Sequence, residues 1–178
     1  MRIFKLFHER LFILNRQNAV LCSAKASVDF VPITNENAHL VRALRGDEFY
    51  RQFVRQLELG DFGLYACKGD AVVGYGWAKH SGSDDFFFRV GDDAVYLCRF
   101  FVKKEERGRG IYPALITRLI EKESKTDSFY IAVERGNESS ERGLKKVGFT
   151  FVREYGFVRG LKRTFNKKKL SASVIMGR

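Results

Sequence analysis

The stretch RFFVKKEERGRGIYPALITRLI, residues 99–120, carries the most informative pattern in the chain. It begins as an apolar strand, passes through a charged run that contains two glycines, and continues as an amphipathic helix. The first turn of a helix presents unpaired backbone N–H groups and the positive end of the helix dipole. Gly108 and Gly110 lack Cβ atoms, so the main chain there can approach an anion closely and can adopt positive φ. We therefore predict a phosphate-binding turn at the start of this helix.

Two other interpretations of this turn are open. Isolated glycine-x-glycine strings are common, and a solvated turn could use the glycines only to relieve strain. Arg-Gly sequences also bind nucleic acid, but they do so in disordered repeats rather than once between a strand and a helix. The context favours phosphate, and Arg107 and Arg109 add the positive charge that a diphosphate requires.

Length, composition and charge narrow the class of protein. A chain of 178 residues with 45% apolar residues suits one domain with a packed core. The net charge of +11 attracts nucleic acid, anionic lipid or phosphorylated ligands. The three cysteines and three histidines show no metal-binding spacing. We therefore expect a cytoplasmic protein without a metal, and the absence of a long apolar run predicts no transmembrane segment.

Hydrophobic periodicity predicts the order β-α-α-β-β-β-α-β-α-β from residue 28 onward. Alternation predicts strands over residues 28–34, in a hairpin that turns at Lys68-Gly69-Asp70, over residues 84–102 around a turn at Gly91-Asp92-Asp93, over 128–134 and over 149–160. A helical period predicts helices after Thr34 and over residues 48–60, 112–123 and 139–148. Hairpins combined with a β-α-β crossover predict an α/β (α+β) fold with a mixed, mostly antiparallel twisted sheet flanked by helices.

We divide the chain into an N-terminal extension (1–27) packed on the domain, a main domain (28–165) and a basic, mobile tail (166–178). The extension is compatible with either a helix or an extra strand. RLFILN suits a strand, whereas one helical face would contain Ile3, Phe4, Phe7, Leu11 and Leu14. Burial against the domain is the expectation, and weak contact of a basic amphipathic helix with a membrane surface is the alternative.

Two segments resemble motifs of the GNAT acyltransferase superfamily. Val102 to Tyr112 resembles motif A, in which Gln/Arg-x-x-Gly-x-Gly/Ala follows a strand that ends in Val. Arg107 and Gly110 match the first two places, but Tyr112 stands where the family usually has Gly or Ala. VERGNESSERGLKKVGF, residues 133–149, resembles motif B. Two motifs in the expected order, separated by one helix and one strand, are more specific than either alone.

The resemblance implies the GNAT fold and an acyl-CoA donor in the gap between the strand that ends at Val102 and the strand over 129–134. Pantetheine would bond to the first strand, and backbone amides of the glycine turn would hold the pyrophosphate. The residues implied to bind acetyl-CoA or another acyl-CoA are Phe100, Phe101, Val102, Arg107, Gly108, Arg109, Gly110, Ile111, Tyr112, Asn137 and Ser140.

The implied chemistry is direct attack of a neutral amine on the thioester, assisted by a base and an acid. The sequence departs from better-known members at both positions. Leu144 replaces the motif B tyrosine, and Tyr96 stands where histone-type members place a glutamate base. The replacement candidates for catalysis are Tyr96, Glu134 and Tyr155, although sheet packing, a solvent-facing strand end and the core would account for them equally.

Three functional hypotheses follow. The first is an N-acyltransferase that moves acetyl from acetyl-CoA to the amine of a small molecule, such as an amino sugar or amino acid. The second is an acyltransferase that uses long-chain acyl-CoA or acyl carrier protein, since Tyr112 and the basic surface suit a modified donor. The third, less favoured, is a non-catalytic module that binds nucleic acid. The oligomeric state, monomer or dimer, stays open. Aromatic residues that would line an acceptor pocket or join the core are Tyr75, Trp77, Phe86, Phe87 and Phe88.

Overall fold

The computed structural model describes residues 6–25, 27–80 and 94–158. Within these ranges the strands are β1 (Leu6–Asn15), β2 (Asp29–Pro32), β3 (Phe62–Lys68), β4 (Ala71–Lys79), β5 (Ala94–Val102), β6 (Ser128–Glu134) and β7 (Thr150–Val158). They form one sheet in the order β2-β3-β4-β5-β6-β1-β7. Only β5 and β6 pair in parallel, and the other neighbouring strands of this sheet are antiparallel. The predicted mixed, mostly antiparallel sheet is confirmed.

The helices are α1 (Arg42–Arg45), α2 (Asp47–Glu58), α3 (Ile111–Lys122) and α4 (Glu138–Val147), with short 3-10 helices at Arg16–Asn18, Ala38–Val41 and Lys104–Glu106. The helix predicted after Thr34 is shorter than expected, because a 3-10 turn precedes α1 and Gly46 ends it with φ 82°. The side chain of Asn37 reaches back and accepts the Thr34 N–H at 2.9 Å, but it forms no cap hydrogen bond to the 3-10 turn itself. In the described part of the chain, no helix is both long and apolar enough to cross a membrane.

The core lies on both faces of the sheet. Helices α3 and α4 cover one face, and α2 with the 3-10 turn before it covers the other. On the second face, the ring of Phe53 meets Tyr75 and Trp77 edge to face at 5.0 and 4.9 Å between centroids. Tyr75 and Trp77 are therefore core residues and do not line an acceptor pocket. The other aromatic residues proposed for that pocket, Phe86 to Phe88, and the basic tail over 166–178 lie outside the described residues.

The N-terminal segment contains a strand rather than a helix. Strand β1 lies between β6 and β7 and is antiparallel to both. Leu11 and Phe12 are fully buried and point to opposite faces of the sheet, each in a different core cluster. A continuous apolar run such as RLFILN suits a strand that is covered on both faces. Part of the segment that the sequence analysis set apart as an extension is thus an interior strand.

Residues 19–25 leave the sheet and run along α4 and α3. The N–H of Val20 donates to the carbonyl of Val147 at 2.9 Å, and the N–H of Cys22 donates to Thr117 Oγ1 at 3.1 Å. The N–H of Lys25 donates to the carbonyl of Arg109 at 2.8 Å. This segment therefore ends beside the glycine turn that precedes α3.

Arg16 fastens the end of β1 to the end of α3. Its guanidinium donates to the carbonyl oxygens of Ile120, Glu123 and Thr126 and to the carboxylate of Asp127. A cation at a helix C-terminus is favourable because the carbonyl groups there lack intrahelical partners. One side chain thereby provides hydrogen-bond donors for carbonyl groups in the last turn of α3 and in the loop into β6.

We expect Arg16→Ala to lower the free energy of unfolding by about 2–4 kcal/mol, since hydrogen bonds to a charged group contribute about 1.5–3 kcal/mol each and Arg16 is partly exposed. Urea denaturation measures this loss. The matched control is Arg118→Ala, which removes one ion pair with Glu121 on the exposed surface of α3 and should change stability by less than about 0.5 kcal/mol. Equal, small losses in both variants would contradict the role given to Arg16.

Candidate active site

The parallel pairing of β5 with β6 stops half-way along both strands. The paired residues run from Ala94 with Ser128 to Leu97 with Ile131. Just beyond, β5 contains a bulge: Trp77 of β4 faces Cys98, but Tyr75 faces Phe101, so β5 has one extra residue. Arg99, in this bulge, has φ 53°, the only positive φ of a non-glycine residue in the described ranges. A bulge bends its strand, so the ends of β5 and β6 separate and leave a gap.

The ring of Phe100 packs directly on the backbone of Gly76 in β4, beside this bulge. A Cβ atom built on Gly76 would lie 2.6 Å from Phe100 Cδ1, well inside van der Waals contact. Glycine is therefore required at position 76 for the ring to lie in this place. Phe100 in turn forms one side of the gap between β5 and β6.

A cavity of about 330 Å³, here called the splay cavity, fills that gap. Its walls are Tyr96 and residues 98–100 of β5 and residues 131–134 of β6, together with side chains from other parts of the chain: Glu9, Lys79, Tyr112, Asn137 and Ser140. The cavity therefore draws on β1, β4, α3 and α4 as well as on the two separated strands.

A groove of about 600 Å³, here called the helix groove, adjoins the cavity. It runs from the end of β5 past the glycine turn and the first residues of α3 to α4. Gly108 and Gly110 both have φ 78°, which a residue with a side chain rarely adopts. A Cβ atom on Gly110 would also lie 3.3 Å from the carbonyl oxygen of Ser23, so Gly110 makes room for the N-terminal segment as well.

The helix groove is rich in cations. Arg45, Arg107, Arg142 and Lys146 line it, and the N-terminus of α3 adds the positive end of a helix dipole. The buried carboxylate of Glu106 also lies there. It pairs with Lys68 at 3.4 Å and with Arg109 at 3.3 Å, so its charge is balanced locally. The charged side chains that line the groove therefore carry a net positive charge, which favours an anion.

Every residue predicted to bind the donor lines the helix groove except Arg109. The side chain of Arg109 pairs with Glu106, and its carbonyl accepts the Lys25 N–H. Sequence reasoning missed three of the groove cations. Arg142 and Lys146 are four residues apart on α4, a spacing that places both on one helix face and could have identified them. No local sequence pattern could have identified Arg45, because it reaches the groove from α1 through tertiary packing. Its guanidinium carbon lies 5.1 Å from the centroid of the Phe101 ring.

Two carboxylates face each other across β1 and β6 at the splay cavity. Glu9 and Glu134 are direct partners in the antiparallel register, and both line the cavity. Burial, followed by the charge of Glu134, raises the pKa of Glu9 above its ordinary value. Glu134 was predicted from the sequence and is exposed at the end of its strand. Glu9 was missed, because only the pairing of two distant strands brings it opposite Glu134.

The two predicted tyrosines have different positions. Tyr96 lines the splay cavity, and burial raises its pKa well above the ordinary value. It is therefore a protonated phenol at neutral pH, able to donate a hydrogen bond but unable to act as a base. Tyr155 faces Glu9 from β7, yet it lines neither the cavity nor the groove. Leu144, at the motif B tyrosine position, is fully buried in the core below α4.

Among the described residues, no group of three or more His, Cys, Asp or Glu side chains is arranged to hold a metal ion. The site's polar groups are instead the carboxylates and phenols of the splay cavity and the cations of the helix groove. Proton transfer and anion binding are the chemistry that these groups offer.

The family model described as acetyltransferase (GNAT) family matches residues 31–149. No curated protein matches the chain. Among solved structures, a GNAT-family acetyltransferase from Colwellia psychrerythraea is 14% identical with a TM-score of 0.61, covering 88% of this chain and 56% of that chain. An acetyltransferase from Thermus thermophilus is 16% identical with a TM-score of 0.58, covering 76% of this chain and 99% of that one.

A third similar structure is AAC(6')-Iy in complex with the bisubstrate analog CoA-S-monomethyl-acetylneamine. It is 16% identical with a TM-score of 0.57, and the match covers 70% of this chain and 92% of that chain. Several of the similar structures, the one from Colwellia psychrerythraea among them, are longer, and the chain spans 52–65% of their length. At identities this low, the likeness to these structures shows a common fold and nothing more. That fold is the GNAT fold.

The pKa of Glu9 leads to a prediction about stability and pH. Because the pKa of Glu9 is higher in the folded than in the unfolded protein, ionisation of this carboxyl opposes folding. The protonated carboxyl of Glu9 therefore favours folding at low pH. This contribution to stability is lost as the pH rises through the pKa that Glu9 has in the folded protein. We expect Glu9→Gln to be more stable than the wild type at about pH 7 and to lose this advantage at about pH 4.

Urea denaturation at the two pH values measures this difference. Glu105→Gln is the control, because Glu105 is exposed in the 3-10 helix before the glycine turn. An advantage of Glu9→Gln that is the same at both pH values, or that grows as pH falls, would contradict the assignment.

Proposed function

The chain belongs to the GNAT acetyltransferase family, and from that premise we propose that it is a cytoplasmic N-acyltransferase that moves acetyl from acetyl-CoA to the primary amine of a small molecule. The observation that carries the proposal is that the helix groove and the splay cavity adjoin. Phe100, Tyr112, Asn137 and Ser140 line both of them. An anion-binding region and a proton-accepting region are thereby joined in one site.

The residues of the helix groove fit the phosphates of coenzyme A. Glycines with φ 78° allow the turn before α3 to bend close to a pyrophosphate. The first N–H groups of α3 lack intrahelical acceptors, which makes a helix N-terminus a ready site for phosphate. The four cations of the groove would neutralise the remaining phosphate charge, with Arg142 and Lys146 acting from α4.

The residues of the splay cavity fit the chemistry of amine acylation. An amine acceptor is an ammonium ion at neutral pH, and it must lose a proton before its nitrogen can attack the thioester carbonyl carbon. Glu9 and Glu134 hold two carboxylates where a cation would be attracted. The raised pKa of Glu9 makes its carboxylate a stronger base than an ordinary one.

In this scheme the ammonium proton passes to the carboxylate pair, the new C–N bond forms, and the C–S bond breaks. The nitrogen of the new amide gives up its second proton, and the departing thiolate takes it, so that a neutral amide and the CoA thiol result. Tyr96, protonated at neutral pH, donates a hydrogen bond to the negative charge that develops during the reaction. Tyr155 has no part in the scheme because it lies outside the cavity.

The acceptor is proposed to be a small cationic amine, since the cavity is small and carries two carboxylates. The analog bound to AAC(6')-Iy joins CoA to acetylneamine. That complex, at 16% identity, supports an amino sugar as the first acceptor to test. Acyl carrier protein and long-chain donors remain the alternative donors.

The groove predicts how a charge reversal affects donor binding. We expect acetyl-CoA and CoA to bind the wild type, and Arg142→Glu to weaken both at least about tenfold, equivalent to about 1.4 kcal/mol. Arg118→Glu is the matched control, because both arginines are exposed on a helix and pair with a glutamate of the same helix. Its affinity should stay within about twofold of the wild type. Isothermal titration calorimetry measures all three proteins.

Failure of the wild type to bind either ligand at millimolar concentration would reject the proposed function. Equal weakening in the two variants would show that only the overall charge matters and that the groove is not the site.

The carboxylate pair predicts the pH dependence of catalysis. kcat/KM should rise with pH as the pair ionises, with an apparent pKa that belongs to both groups together. Loss of the base should lower kcat by about 100-fold or more. We expect this loss in at least one of the single variants Glu9→Gln and Glu134→Gln. Steady-state rates with an amino sugar acceptor across the pH range test this, with Glu105→Gln as the control. Unchanged rates in both variants would assign proton removal elsewhere.

A further inference from the structure

The ring of Tyr112 lies where the helix groove and the splay cavity meet. Tyr112 is the second residue of α3 and lines both spaces. Its ring meets Phe100 of β5 edge to face, with 5.1 Å between centroids. On its other side lies Gly143 of α4, where a built Cβ atom would be 2.6 Å from Tyr112 Cδ1. The ring therefore fills the space between β5 and α4.

The hydroxyl of Tyr112 completes this barrier. It hydrogen-bonds to the side chain of Ser140 on α4, while burial raises its pKa and keeps the phenol protonated at neutral pH. Ser140 and Phe100 also line both spaces. A continuous set of contacts thus crosses from β5 through Tyr112 to α4 at the boundary that the groove and the cavity share.

The surrounding sequence accommodates this ring. Glycine is disfavoured inside a helix, yet Gly143 lies in the middle of α4, where any side chain would collide with Tyr112. The motif that residues 102–112 resemble usually has Gly or Ala at the position of Tyr112. A residue that small would leave the groove and the cavity continuous.

We propose that Tyr112 is a gate that controls passage of the donor's pantetheine arm from the helix groove into the splay cavity. The inference rests on the proposed function, because it assumes that a donor nucleotide binds in the groove. With the ring against Phe100 and Gly143, the groove accepts the nucleotide but the cavity is closed to the arm. Rotation of the ring, with loss of the Ser140 hydrogen bond, opens the passage.

A closed gate lowers the apparent affinity for any ligand that needs it open, in proportion to the population of the closed state. A ligand that occupies only the groove is unaffected. Adenosine 3',5'-bisphosphate is such a probe, because it contains the nucleotide of CoA without the pantetheine arm. Comparing it with CoA isolates the contribution of the gate.

The experiment titrates both ligands into the wild type, Tyr112→Ala and Gly143→Ala by calorimetry. We expect Tyr112→Ala to bind CoA about tenfold more tightly, while its affinity for adenosine 3',5'-bisphosphate stays unchanged. Gly143→Ala should act in the same direction, because its methyl group displaces the ring, and alanine favours the helix. Tyr50→Ala, on α2 at the opposite face of the sheet, is the control and should match the wild type for both ligands.

Other outcomes overturn the proposal. Equal changes for both ligands would mean that Tyr112 shapes the groove as a whole, and weaker CoA binding in Tyr112→Ala would mean that the ring supports the arm. No change in either variant would mean that the passage is open already. If Tyr112→Ala does not fold, Gly143→Ala and Tyr112→Phe, which removes only the hydroxyl, decide the question. A wild type that binds neither ligand would reject the proposed function and the gate together.

Discussion

The bulge at Arg99 is the constraint on which the rest of the site depends. One extra residue in β5 ends its pairing with β6 after Leu97 and Ile131. The two strands are parallel neighbours and would otherwise exchange backbone hydrogen bonds to their ends. Beyond Leu97 the main chain of β5 no longer pairs with β6. In the proposed function, the pantetheine arm of the donor lies along β5 in this gap.

Strand β1 keeps this gap open. β6 is paired to β1 along its whole length, from Ser128 with Asn15 to Glu134 with Glu9, so its end cannot move across to close on β5. The same pairing brings Glu9 into the cavity. Arg16 and the segment over 19–25 then tie β1 to both ends of α3. The N-terminal part of the chain therefore supports the sheet, the helix of the glycine turn and one of the two carboxylates.

Charge is distributed unevenly along the site. The helix groove gathers the cations Arg45, Arg107, Arg142 and Lys146, whereas the splay cavity holds Glu9 and Glu134 face to face. Like charges directly opposite each other in a sheet are unfavourable, and the charge of Glu134 adds to burial in raising the pKa of Glu9. Local conflicts of this kind are expected at functional sites rather than in purely structural regions. Tyr112 separates the two regions, so one aromatic ring stands between the cationic and the acidic part.

Local pattern was sufficient for much of this protein. The bounds of β6 match the predicted residues 128–134, the hairpin turns at Gly69, and the glycine turn starts a helix, because periodicity, turn residues and positive φ act over a few residues. The sequence therefore determined the sheet class, the glycine turn that starts α3 and most of the residues that line the groove. Only the tertiary structure decided that residues 6–15 are a strand between β6 and β7, that Glu9 lies opposite Glu134, and that Tyr155 lies outside the cavity. These outcomes depend on which distant strands pair and in which register, and a one-residue shift in register would turn every such side chain to the other face.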